Sequence, residues 1–228
     1  MTVLLVVAMF AIFLTIDYVR NRKRVTEPVS RTEEKILIQK DRVPVGLQPS
    51  YVCGFALPEN LRYHPGHTWA LEESPTLVRV GLDDFAACLI GKCDSLALPK
   101  RGQWIRQGQK LATIVRDGQK AEIASPIEGE ITNVNEDLLK DPTISLREPY
   151  KGGWMVSVMS PDAKTNFRNL ISGEVARKWM TEAAGRLQAK MPNFAGAVAQ
   201  DGGIAVRDLT AEVPGQNWQE LTHEFFLI

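Results

Sequence analysis

The sequence predicts a mainly β domain, a small sandwich or barrel, with helices packed after it. Two observations carry this. Between residues 51 and 159, short apolar-alternating runs recur, separated by Gly and Pro turns. From Pro161 onward the apolar spacing switches from two to three or four. A third observation lies outside that domain: residues 2–19, TVLLVVAMFAIFLTIDYV, are almost wholly apolar.

That N-terminal run predicts a transmembrane anchor over residues 1–24. Its length is at the lower limit of about 18 residues for a membrane-spanning helix. The basic stretch Arg20–Arg24, RNRKR, follows it and no charge precedes it. A cleaved signal has the opposite charge order and a small-residue cleavage site. The positive-inside rule then places the N-terminus outside and the rest of the chain in the cytoplasm of a bacterial inner membrane. Residues 25–50 carry Pro28, Pro44 and Pro49 with little periodicity beyond KILIQ, and read as a linker with room for one short strand.

Within the β region, TLVRVGL, LALP, QKLATIV, AEIASP, GEITNVN and GWMVSVM read as strands. Gly102, Gly108, Gly118, Gly129 and Gly152-Gly153 punctuate them. DDFAACLIG, residues 83–91, reads as a helix with Asp83 as N-cap, Gly91 as stop, and Phe85, Cys88 and Leu89 on a buried face. After Pro161, Phe167, Leu170 and Ile171, and then Val175, Trp179 and Met180, mark two helical segments broken near Ser172-Gly173. The domain therefore runs over residues 51–190. Residues 191–228 form a C-terminal extension, ending in NWQELTHEFFLI, where Trp218, Leu221 and Phe225 share one helical face. Phe225 to Ile228 would be a sticky patch in water, so the tail is expected to dock, with a protein partner favoured over its own domain.

The formal net charge is zero, which gives no reason to propose nucleic acid as a partner. Three cysteines, Cys53, Cys88 and Cys93, make no disulfide framework, and Cys88 and Cys93 lack the further ligands of a zinc site. His64 and His67 in YHPGHTW read as structural, and Asp83-Asp84 as caps rather than an acid–base pair. No nucleophile triad, phosphate loop or dinucleotide fingerprint is present. Neither a catalytic residue nor a metal ligand is predicted, and the chain is not expected to be an enzyme by itself.

Several stretches together resemble the glycine cleavage system H protein family, relatives of lipoyl and biotinyl carrier domains. HTWAL (67–71) looks like the family's His-x-Trp strand. VGLDDFAACLIG (80–91) and LALPKRGQWIRQGQ (96–109) match its helix segment and its Leu-Pro…Gly…Gly stretch. SPIEGEITNVNEDLLKDPTISLREPYKGGWMVSV (125–158) matches a long, specific run. The resemblance covers roughly 100 residues and implies a lipoyl-carrier-like β-sandwich, the barrel-sandwich hybrid, with flanking helices.

The resemblance also implies a lipoyl group amide-linked to a lysine at a hairpin tip, written Glu-Ser-x-Lys-Ala in the family. Counting back from Pro126 and forward from Gly108 puts that lysine slot on Gly118 both times. The preceding family positions fall on Val115, Arg116 and Asp117. The acceptor is therefore expected to be lost and no cofactor is predicted. The alternative is a carrier with lipoate on Lys120, two residues along the return strand, which would shuttle electrons or a one-carbon unit. The leading expectation is a membrane-anchored structural or interaction subunit of an inner-membrane complex, with partners held in part by the C-terminal tail.

Overall fold

A computed structural model of the chain describes residues 50–190, 207–209 and 218–227. The anchor expected over residues 1–24 and all but Ser50 of the linker expected over residues 25–50 lie outside them. So does most of the C-terminal extension. Among the described residues no helix is long and apolar enough to cross a membrane.

The β region forms three antiparallel sheets. β1 (Tyr51–Val52) and β2 (Phe55–Ala56) make a short ribbon. β3 (Arg62–His64), β4 (Thr68–Glu72), β5 (Leu77–Leu82), β7 (Trp104–Ile105), β10 (Gly129–Val134) and β11 (Trp154–Met159) form a six-stranded sheet. Its order is β3-β4-β5-β11-β10-β7. β6 (Ser95–Ala97), β8 (Lys110–Arg116) and β9 (Gln119–Ala124) form a three-stranded sheet in the order β6-β8-β9. This is the sandwich of short strands that the alternation predicts, because strands with one apolar face must bury it against another layer. Val78, Val80, Ile131, Val156 and Val158 from the larger sheet are fully buried in one cluster with Ile114 and Ile123 from the smaller.

The helix α1 (Asp84–Ile90) behaves as its sequence requires. Asp83 caps it by accepting from the Ala86 amide at 2.8 Å, and Gly91, with φ at 63°, ends it. All seven of its residues are buried, Cys88 among them. The short helices α2 (Glu136–Lys140) and α3 (Thr143–Arg147) lead into β11. Asn135 caps α2, and its amide nitrogen donates to the Gly152 and Trp154 carbonyls, which tethers the loop before β11.

α4 (Ala163–Arg168) and α5 (Gly173–Lys190) are separated where Ser172-Gly173 breaks the pattern. Leu170, Met180 and the partly buried Trp179 pack as predicted. Val175 does not: it is 62% exposed, because the buried stripe of α5 runs through Ala176, Met180, Ala183 and Leu187 instead. The last helix, α6 (Trp218–Phe226), buries Trp218, Leu221, Thr222, Phe225 and Phe226. It packs chiefly on β9 and on α1. Of the apolar side chains expected to leave a patch, Phe225 and Phe226 are inside the chain's own core and Leu227 is exposed, while Ile228 lies outside the described residues.

Candidate functional site

The hairpin on which the sequence places the lipoyl slot is β8–β9. Its ladder pairs Arg116 with Gln119, Val115 with Lys120 and Ile114 with Ala121. That leaves Asp117-Gly118 as the two-residue tip. Asp117 has φ at 50° and Gly118 at 75°. Two successive positive φ values make the type I′ turn, whose twist matches a β-hairpin and which selects Asp-Gly. Gly118 is exposed, and a Cβ placed on it would meet no heavy atom within 4 Å. The slot counted from the flanking motifs is thus the outermost point of the hairpin.

Lys120 sits elsewhere. It is exposed, two residues inside the ladder and opposite Val115 rather than in the turn. Alongside it runs a cleft of about 230 Å³ between β9 and α6, lined by Lys120, Ala121, Glu122, Gln219, Thr222 and His223. Its neighbour Glu122 is held by Lys110 at 3.0 Å.

The base of the hairpin is fastened to the body of the domain. Arg116, at the end of β8, donates to the Ile90 carbonyl at 2.7 Å and pairs with Asp208 at 3.0 Å. Asp208 also accepts from the Lys92 amide, and the Leu209 amide donates to the Cys88 carbonyl. Glycine suits position 91 because its φ is 63°, and a Cβ there would also press on the Asp208 and Arg116 side-chain ends of this contact. At the N-terminal end of α1, Arg207 pairs with the buried Asp84. Burial raises the Asp84 carboxyl above the usual carboxylate range, while Arg207 and the Ala56 amide pull the other way.

Sequence reading assigned His67 and Asp83 separate structural jobs and missed that they meet. The His67 Nδ1 lies 2.8 Å from Asp83 Oδ2, and both side chains are fully buried. The imidazole stacks on Phe85 at 4.2 Å and lies 4.5 Å from Trp179, with Phe225 at 6.1 Å. His67 thus fastens β4, α1, α5 and α6 at one point. No proximity in sequence signals this, since Trp179 and Phe225 come from the helices after the β region.

Cys88 and Cys93 are both buried, and burial pushes their thiols up. Cys53 is exposed. Among the described residues no group of three or more His, Cys, Asp or Glu side chains could hold a metal ion. His64 uses its Nδ1 locally, accepting from the Gly66 amide at 3.0 Å.

Comparison with known proteins gives a consistent result. The family model described as glycine cleavage H-protein matches residues 61–183. The "probable glycine cleavage system H protein 2" of Sulfurisphaera tokodaii is 32% identical over 134 residues, covering 58% of this chain and 90% of that relative. The glycine cleavage system H protein of Streptomyces coelicolor is 31% identical over 105 residues, covering 46% of this chain and 84% of its own. A crystal structure of the glycine cleavage system H protein from Mycobacterium marinum superposes with a TM-score of 0.48 at 23% identity, covering 55% of this chain and 98% of that one. With a match over more than half of its 228 residues, and relatives covered over most of their own length, the chain belongs to the glycine cleavage H-protein family.

Proposed function

We propose that this chain is a membrane-anchored H-protein-like domain that has lost its lipoyl lysine and serves as a structural or interaction subunit of an inner-membrane complex. The observation that carries the reading is the residue at the hairpin tip. H proteins normally carry lipoate on a lysine, and an amide-linked arm needs a primary amine on an exposed, tight turn. Gly118 holds that position here and has no side chain to acylate. The tip residues therefore do not fit the group. The family's Glu-Ser signal is also absent, replaced by Val115 and Arg116. Arg116 is engaged in fastening the hairpin to the Ile90 carbonyl and Asp208 rather than in presenting an arm. The apolar run at residues 2–19 followed by Arg20–Arg24 supports the anchor and the cytoplasmic placement of the domain.

The second reading is a lipoyl carrier with Lys120 as acceptor. The names of the relatives favour it, as does the exposure of Lys120. Its weakness is the ladder position opposite Val115, where a modifying enzyme would meet a paired strand instead of a turn. The deciding experiment is the intact mass of the native protein, with peptide mapping of residues 116–128. An unmodified peptide is expected, and a lipoyl mass increment on Lys120 would overturn the scaffold reading. Purification in mild detergent should recover stoichiometric partners, and a reporter fused after Ile228 should be active in the cytoplasm only.

A further inference from the structure

The strand β7 is an edge strand of the six-stranded sheet, and its one outward side chain, Trp104, is 51% exposed. Ile105 beside it is buried. Both ends of β7 are tight turns with the same construction. In Lys100–Gln103 the Gln103 amide donates to the Lys100 carbonyl, and in Arg106–Gln109 the Gln109 amide donates to the Arg106 carbonyl. In each, the glutamine side chain accepts from the amide of the basic residue that opens the turn. The two turns therefore hold Lys100, Arg101 and Arg106 at fixed places on either side of the indole. All three are exposed, and among the described residues none takes part in an ion pair. From Ser95 to Arg116 there is no Asp or Glu at all. Across the ladder, Trp104 faces the half-buried Glu130, and Glu130 faces Met159, which is 45% exposed.

We infer that this edge is a peripheral membrane contact: Trp104, with Lys100, Arg101 and Arg106 around it, rests on an anionic phospholipid leaflet. Three considerations select lipid over a protein. Protein interfaces are depleted of lysine at their centre and bury hundreds of square ångströms per partner, whereas this apolar patch is one indole and one thioether. An amphipathic ring bordered by cations is the composition that settles at headgroup level. Tethering makes a weak site sufficient. The inference rests on the membrane reading for this last point: a linker over residues 25–50 keeps the domain within roughly 30 Å of the bilayer, where its effective concentration reaches the millimolar range. The anchor and the edge would then act as two membrane signals that fix how the domain faces the surface.

The test separates the edge from the anchor. Among the described residues every core side chain lies between Val52 and Phe226, and Gly46–Ile228 forms one compact unit, so residues 46–228 can be made without the apolar run. This domain is sedimented with vesicles of phosphatidylcholine, with or without phosphatidylglycerol, at low and high salt. Binding is expected only to the anionic vesicles, weakened by salt, with a blue shift of tryptophan emission that Trp104→Phe abolishes. Each basic residue near an anionic surface is worth about fivefold in binding. The triple variant Lys100→Ala, Arg101→Ala, Arg106→Ala should therefore bind about a hundredfold more weakly. Failure of the folded domain to bind anionic vesicles, equal binding to neutral ones, or a triple variant as good as wild type would overturn the inference, the last two by moving the contact elsewhere. Alkaline carbonate extraction of the full chain from membranes reports on the anchor alone. A carbonate-resistant chain whose domain ignores vesicles sinks the edge and leaves the anchor standing, and the reverse pattern does the opposite.

Discussion

The lost-acceptor reading can be tested by putting the acceptor back. In Gly118→Lys the new side chain meets no heavy atom within 4 Å of its Cβ, so no neighbour has to move. The cost is the backbone alone. Gly118 has φ at 75°, and a residue with a Cβ held there is strained by about 1–2 kcal/mol. For a domain of this size that amounts to a fall in melting temperature of about 2–8 °C, readable by circular dichroism on residues 46–228. Restoring the Glu and Ser that precede the lysine in the family's signal also requires Val115→Glu and Arg116→Ser. The latter gives up the bonds to the Ile90 carbonyl and Asp208, a further loss of about 1–3 kcal/mol. The assay is enzymatic lipoylation with a mass readout on wild type, on Gly118→Lys and on the triple variant, each first shown to be folded. Wild type should gain nothing, and the triple variant should gain one lipoyl group at residue 118. A lipoyl increment on wild type at Lys120 would refute the reasoning. So would a folded triple variant that stays unmodified, because the slot would then not be at the tip.

Other expectations follow from the packing. Phe225→Ala removes a ring packed 5.0 Å from Phe85 and capped by Arg186, and should lower stability in urea by about 3–5 kcal/mol; a loss below about 1 kcal/mol would mean that α6 is not held as described. Burial, and secondarily the neighbouring His67, lowers the His64 imidazole below its ordinary value of about 6.5. The unfolded chain then takes up its proton at higher pH than the folded one. That share of stability is complete above about pH 6.5 and shrinks as pH falls toward the folded value; urea midpoints for wild type should decline over this window and those for His64→Gln should decline less. Native-state thiol labelling should report one fast cysteine, Cys53, with Cys88 and Cys93 reacting only on unfolding; a second fast thiol would contradict their burial.

Much of the fold is legible because its signals are local. Alternation over Leu77–Leu82 and Lys110–Arg116 marks strands that each bury one face, and those strands form. Asp83 and Gly91 bound α1 because capping and positive φ are properties of single residues. Asp117-Gly118 writes its own turn, so the sequence by itself determined that the β8–β9 hairpin has a tight two-residue tip. Val175 shows the limit of such reading: helical spacing identified a helix, but the rotation of α5 is set by what it packs on, and that face is Ala176, Met180 and Ala183.

Only the tertiary structure decided where the last helix, α6, packs. Its composition called for burial but could not say against what, since an apolar helix face fits any apolar groove. The chain's own β9 and α1 supply that groove, and Phe225 reaches His67 and Phe85. In the same way Asp208 finds Arg116 from 92 residues away, and His67 finds Asp83 at the open end of the β4–β5 hairpin. Such pairs leave no trace in periodicity, because their energy comes from groups that folding alone brings together and removes from water.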